Sequence, residues 1–221
     1  MNELVKRSIT GILLVLVVVY CSTYSLWSAT VLWGSVLVLG LIEFFKLKSK
    51  EGERGGSVSG AWMGVGVIVI AGVSVWGLGR PIDVILGIKS SYSGMEVVAF
   101  LTWIWANDTF AYIGGRLLGR RLIYKGLAPV ISPKKSWEGA VIGAVGAAVA
   151  GWFWMGEVGV LLGALTGVLS TCGDLIESAA KRRAGVKDSG SLLPGHGGIL
   201  DRFDGLVLAA PVVLIIKSLL V

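Results

Sequence analysis

Charge is scarce in this sequence. Of 221 residues only 15% are Asp, Glu, Lys or Arg, against 54% hydrophobic, and the mean hydropathy is +0.79. So little polar surface could not keep a soluble domain of this size in solution, which excludes that class and places the chain in a bilayer. Cysteine is nearly absent. Cys21 and Cys172 lie far apart, at or inside apolar stretches, so neither a disulfide framework nor a thiolate metal site is implied, and both read as packing residues. Histidine occurs once, at His196, and one imidazole cannot supply the paired histidines of a zinc site. No GxxxxGK[ST] sequence is present, so a P-loop ATPase is not supported. The ten-residue alternation of apolar and polar residues that marks a membrane barrel is also missing.

What the chain has instead is continuous apolar runs such as ITGILLVLVVVY and GLVLAAPVVLIIKSLL. A run of roughly 20 apolar residues spans the hydrocarbon core as a helix. Seven such stretches, near 8–24, 26–45, 61–79, 96–116, 138–155, 158–178 and 203–220, predict an all-α, polytopic helical bundle. Lys6 and Arg7 ahead of the first run imitate a signal peptide, but no convincing small-x-small site follows and Tyr20 before Cys21 spoils a lipoprotein-type site. The run is therefore read as an uncleaved helix. With the N-terminus in the cytosol and seven spans alternating, seventeen Lys and Arg residues fall on the cytosolic side, and only Arg80, Lys89 and Lys217 fall opposite. A bias of that size sets membrane orientation, and it explains the net charge of +6 without nucleic acid. The segment 81–88, PIDVILGI, is too short to span and reads as re-entrant or interfacial. The expected organisation is a set of N-terminal helices over 1–95 and a functional membrane domain over 96–221 with a cytosolic loop at 181–200.

Glycine is plentiful, with 33 residues, and partly periodic: Gly139, Gly143, Ala147 and Gly151 repeat every four positions, as do Gly159, Gly163 and Gly167. Such stripes let helix backbones approach closely in lipid. They predict packing within the chain or across a homodimer. No repeat of 20 to 50 residues suggests a duplicated transporter half.

Carboxylates in or beside a bilayer are costly, so their positions call for a functional hypothesis. Asp174 and Glu177 in GDLIES, and Asp201 and Asp204 in DRFD, are each spaced i, i+3, which puts both members of a pair on one helix face. The first pair closes the sixth expected span and the second opens the seventh, so they can converge at one membrane surface. Hard oxygen ligands without paired histidines or cysteines suit Mg²⁺, and carboxylate-held divalent metal serves phosphoryl and nucleotidyl transfer. The plainer alternative is that these acids pair with Lys181, Arg182 and Arg202. Between the pairs runs KRRAGVKDSGSLLPGHGGIL, whose cations and flexible glycines suit an anion. Helix-end cations and an ordinary turn would have the same composition.

From Ser178 to Asp204, SAAKRRAGVKDSGSLLPGHGGILDRFD resembles the signature of the phosphatidate cytidylyltransferase family. More than a dozen positions over 27 residues carry the likeness, among them Ser178, Lys181-Arg182, Lys187-Asp188, Gly190, Leu193-Pro194, His196-Gly197-Gly198 and Asp201-Arg202-Phe203-Asp204. Ala180 departs from it, standing where the family prefers a larger aliphatic residue. NDTFAYIGGRLLGRR (107–121) and ISPKKSWEG (131–139) are similar to two further family motifs, with Ser136 in place of the common Thr and still able to cap a helix. The resemblance covers roughly 97–221; the first 95 residues are recognisable only as apolar helices, and the chain is shorter than is usual in the family, as if an N-terminal helix or two were missing.

The resemblance implies transfer of a cytidylyl group from CTP to phosphatidate, giving CDP-diacylglycerol and pyrophosphate, with Mg²⁺ required and a second cation possible. It implies Asp174 and Asp201 as metal ligands, with Asp204 and Asp188 assisting. Lys181, Arg182 and Lys187 would hold phosphates, and Asp108, Lys134 and Lys135 would meet the nucleotide. Ser132, Ser178 and Arg202 join the expected substrate contacts, and His196 would touch a phosphate or pin the loop. Asp174, Lys181, Asp201 and Asp204 are thus the expected catalytic group. The partners expected are CTP, phosphatidate and the bilayer, in a bacterial inner or cell membrane with the site facing the cytosol. A CTP-dependent enzyme acting on another lipid phosphate or a polyprenol is the neighbouring alternative. A cation-coupled transporter is the alternative from another class, and it would place its ionisable groups near mid-membrane.

Overall fold

A computed structural model of the chain describes residues 3–55, 61–79 and 92–220. Among these residues the chain is all helix, with only two isolated bridges, Ala128 with Ser132 and Leu193 with Gly197, outside the helices and turns. The described residues hold six helices in order: α1 (Glu3–Tyr24), α2 (Leu26–Glu53), α3 (Ala61–Leu78), α4 (Gly94–Leu117), α5 (Trp137–Arg183) and α6 (Leu200–Leu220). Four stretches among the described residues are long and apolar enough to cross a membrane: Arg7–Tyr24, Leu26–Glu53, Trp137–Arg183 and Leu200–Leu220. This is a helical membrane protein. The expected interfacial segment 81–88 lies outside the described residues.

The 47 residues of α5 would make a rod of about 70 Å at 1.5 Å per residue, more than twice the hydrocarbon thickness. The rod is broken. Met155 (φ −140°, ψ 17°) and Gly156 (φ 59°, ψ −137°) leave helical geometry, and the positive φ at Gly156 is open to a residue without Cβ. The break falls where the apolar pattern separated a span ending at 155 from one beginning at 158.

The chain divides into two compact units, one of Met1–Val98 with Ala179–Asp204 and the other of Ala99–Ser178 with Gly205–Val221. In the second unit the two arms of α5 fold back on each other through the small-residue stripes. A Cβ on Gly163 would meet Ala148 Cα at 3.1 Å, and one on Gly167 would meet Ala144 Cα at 2.8 Å. On the first arm, Gly139 and Gly143 lie against α4, where a Cβ would come within 2.9 Å of the Ala111 carbonyl and 2.8 Å of the Asn107 carbonyl. Both stripes thus serve backbone approach within the chain.

In the first unit α1 packs on α2 and α2 on α3. Ser25 caps α2 in a reciprocal box with Ser28, satisfying the donors that a helix start leaves open. Trp76 of α3 donates to Thr30 of α2 at 3.0 Å. Leu47, Ala184 and Leu200 form a buried cluster with Phe44, Ile68 and Val186 against it. The last turn of α5 carries Lys181, Arg182 and Arg183, so the expected 181–200 loop is shorter, running from 184 to 199. Its entry is a Schellman turn: Gly185 (φ 68°) donates to the Arg182 carbonyl and Val186 to that of Lys181, at 3.0 and 2.9 Å. Val186 packs against the apolar cluster of Leu47, Ala184 and Leu200.

Candidate active site

Two groups of the expected residues come together, one in each unit. In the second unit a cavity of about 520 Å³ is lined by Asp108, Ser132, Lys134, Lys135 and Asp174, with Asn107 and Arg116 among its other walls. Its volume falls within the range of roughly 300–1,000 Å³ usual for ligand pockets. α4 contributes Asp108 and Arg116, the 127–136 turn contributes Ser132 and the two lysines, and the second arm of α5 contributes Asp174. Lys135 donates to Asp174 as an ion pair, and Ser178, one turn on, donates to the other Asp174 oxygen at 3.1 Å.

Local hydrogen bonds build this wall. Ser136 caps α5, accepting from Gly139 N at 3.1 Å, as its hydroxyl allowed. Ser132 N donates to the Ala128 carbonyl and Leu127 N to that of Lys135, at 2.8 and 2.9 Å, which closes the turn bearing the lysines. Glu138 is buried and accepts from the backbone of Arg120, Leu122 and Ile123 at 3.1, 2.9 and 2.8 Å. The chain leaving α4 is thereby tied to the start of α5. Arg120 sits at φ 62° and donates to the Pro133 carbonyl, while Arg116 donates to Tyr112 at 3.3 Å. Beside the polar cavity lies an apolar one of about 540 Å³, walled by Trp137, Val141, Ala144, Val145 and Val168 and sharing Leu127, Ala140 and Thr171 with it.

In the first unit Lys181 and Asp201 form an ion pair at 2.6 Å with side chains 9% and 5% exposed. The other Asp201 oxygen accepts from Ser189 N at 2.8 Å, Ser189 Oγ at 3.0 Å and Gly198 N at 2.8 Å. A buried carboxylate is tolerated where its charge and lone pairs are met in this way. Arg182 donates to the Val186 carbonyl at 3.0 Å. The side chains of Lys187, Asp188 and Arg202 are exposed, and Asp204 is half-buried on α6. His196 closes a turn through its backbone N–H to the Leu193 carbonyl at 2.9 Å. Its ring packs beside Gly11 of α1, and its Nδ1 has no hydrogen-bond partner among the described residues.

Asp174 and Asp201 offer hard oxygens of the kind Mg²⁺ takes; the Asp174 side chain is 36% exposed, whereas that of Asp201 is 5% exposed with both oxygens met by Lys181, Ser189 and Gly198. Among the described residues no three acidic, histidine or cysteine side chains gather into a ready cage. Mg²⁺ needs none, because it is commonly held by one or two carboxylates together with substrate phosphates and water.

A sequence model of the cytidylyltransferase family matches residues 59–220, well over half of the chain. The chain belongs to that family. A phosphatidate cytidylyltransferase of Synechocystis is 48% identical over 127 residues, 54% of this chain and 41% of the relative. One from Brucella abortus is 48% identical over 126 residues, covering 53% and 45%, and one from Haemophilus influenzae is 40% identical over 133 residues, covering 54% and 45%. The chain spans less than half the length of these curated relatives. The family match takes in the cavity, the Lys181–Asp201 pair and the connecting loop. Three residues that shape these places were not singled out as site residues in the sequence: Glu138, Ser189 and Asn107. All three stand inside the family-like motifs, and that adjacency was the available signal.

Proposed function

We propose that this chain transfers the cytidylyl group of CTP to phosphatidate. The reading is carried by the charged cavity of the second unit, where Lys134, Lys135 and Arg116 meet Asp108 and Asp174 beside an apolar cavity. A nucleotide with a lipid acceptor needs that combination of charge and adjoining hydrocarbon. The names of the curated relatives support the same acceptor.

In the reaction a phosphate oxygen of phosphatidate attacks the α-phosphorus of CTP, and the bond from that phosphorus to the bridging oxygen of the β-phosphate breaks. Pyrophosphate leaves with the electron pair, and CDP-diacylglycerol is formed. The attacking oxygen is already anionic, so no strong general base is required. Positioning and neutralisation of charge supply the rate. Lys134 and Lys135 hold triphosphate oxygens, and Asp108 and Ser132 contact the nucleotide. Lys181, Arg182 and Lys187 hold phosphate on the loop side, joined by Ser178, His196 and Arg202, with Asp188 and Asp204 assisting. Asp174 in the second unit and Asp201 in the first would each offer a carboxylate to Mg²⁺, which would supply charge neutralisation. The site faces the cytosol, where CTP is available, in a bacterial cell membrane.

Purified protein in mixed micelles, supplied with Mg²⁺, CTP and separate acceptors, tests the reading. Phosphatidate is expected to be the preferred acceptor, and activity is expected to vanish with EDTA and return with Mg²⁺. Preference for a polyprenyl phosphate would replace phosphatidate, and recovery with Zn²⁺ but not Mg²⁺ would overturn the metal assignment.

A further inference from the structure

Glu43 lies in α2, in the part of the chain where the sequence offers only apolar helix, yet it is 6% exposed. Its carboxylate accepts three hydrogen bonds from one distant segment: Ser189 Oγ at 2.9 Å, Ile199 N at 3.0 Å and Leu200 N at 2.9 Å. A side chain at Gly190 or Gly198 would collide with it, so loop backbone encloses the carboxylate. Ile199 and Leu200 are the open N–H groups at the start of α6, where a helix end favours negative charge. The preceding N–H, that of Gly198, goes to Asp201. Three consecutive N–H groups are therefore shared between two carboxylates.

Ser189 joins the two. Its hydroxyl lies 2.9 Å from a Glu43 oxygen and 3.0 Å from an Asp201 oxygen, and one proton serves both acceptors. We propose that Glu43, acting through Ser189 and the first turn of α6, is a positioning residue for Asp201 and for the 184–199 loop. The geometry itself stands on the hydrogen bonds; only its consequence for turnover rests on the cytidylyl-transfer reading.

The Glu43→Gln variant keeps the shape of the side chain but turns one acceptor into a donor facing a backbone N–H. Ser189→Ala removes the link while leaving the Ser189 N–H bond to Asp201. In the full chain, kcat of E43Q is expected to fall about 100-fold, the scale of an ångström-level misplacement, with KM for CTP unchanged within about twofold. S189A is expected to lose roughly tenfold, the value of one hydrogen bond, and the double variant should be no slower than E43Q. Deuterium exchange of backbone amides over 189–200 should speed up in E43Q while the rest of the chain keeps its protection. Wild-type kcat per folded molecule in E43Q, or uniform loss of protection along the chain, would overturn the proposal. Additive losses in the double variant would also overturn it. If wild-type protein makes no CDP-lipid, the transfer reading fails, and unchanged exchange over 189–200 in E43Q would then independently reject the role of Glu43.

Discussion

Removing the charge of Asp201 should have two separable effects. Asp201→Asn takes from Lys181 the counter-charge it meets at 2.6 Å, at a site where the paired side chains are 9% and 5% exposed. Breaking a buried pair by neutralising one member costs about 3–5 kcal/mol, a large part of the roughly 5–15 kcal/mol that holds a typical domain. The asparagine cannot relieve the conflict by rotating. With its oxygen toward Ser189 N and Gly198 N, its amide faces the ammonium; with its oxygen toward Lys181, its amide faces two N–H groups. Lys181→Met should cost less, about 1.5–3 kcal/mol for one charged hydrogen bond, because Asp201 keeps its other three donors. The double variant removes both members of the pair together, so it should recover roughly 0.5–3 kcal/mol relative to the sum of the singles. Reversible unfolding in detergent micelles measures the cycle, and turnover per folded molecule is read alongside. Stability should return in the double variant and turnover should not. Additive single costs would refute the buried pair, and near-normal turnover in D201N would remove Asp201 from the site.

Val145→Trp, at an exposed wall of the apolar cavity, should fill it and raise KM for phosphatidate at least tenfold, a loss of about 1.4 kcal/mol, with KM for CTP unchanged; equal shifts in both would deny the cavity a lipid tail. Gly159→Val places a Cβ against the Gly151 backbone and should destabilise the hairpin of α5 by about 1–3 kcal/mol or more, read as a lower unfolding midpoint in micelles. Lys135→Met removes the ion pair with Asp174 and should lower kcat/KM for CTP by about 100-fold or more, near 2.7 kcal/mol, as read from initial rates.

The helices were legible because continuous apolar runs of spanning length allow few other structures. The turn at Met155–Gly156 was legible for the same reason, as a gap between two runs. The lining of the cavity was legible: Asp108, Ser132, Lys134 and Lys135 were named from motifs and Asp174 from its i, i+3 acid pair, and the structure places the five around one space. Their supports were not legible. Glu138 reaches back 15 to 18 residues to three backbone N–H groups, and Glu43 reaches 146 to 157 residues forward. Neither partnership leaves a local period or spacing in the sequence. Asp174 and Asp201 were read by their i+3 neighbours. In the structure Asp201 meets Lys181, a pairing the sequence offered as the plainer alternative, whereas Asp174 meets Lys135, 39 residues away along the chain, which no spacing suggested.

The fate of the two ends of the triphosphate tests the central claim most directly. CTP labelled at the α-phosphorus, given to purified protein with phosphatidate and Mg²⁺, should pass its label into the organic phase as CDP-diacylglycerol, one lipid for each pyrophosphate released. CTP labelled at the γ-phosphorus should leave all its label in pyrophosphate. Lipid labelled from the γ position, or no labelled lipid from either, would contradict cytidylyl transfer.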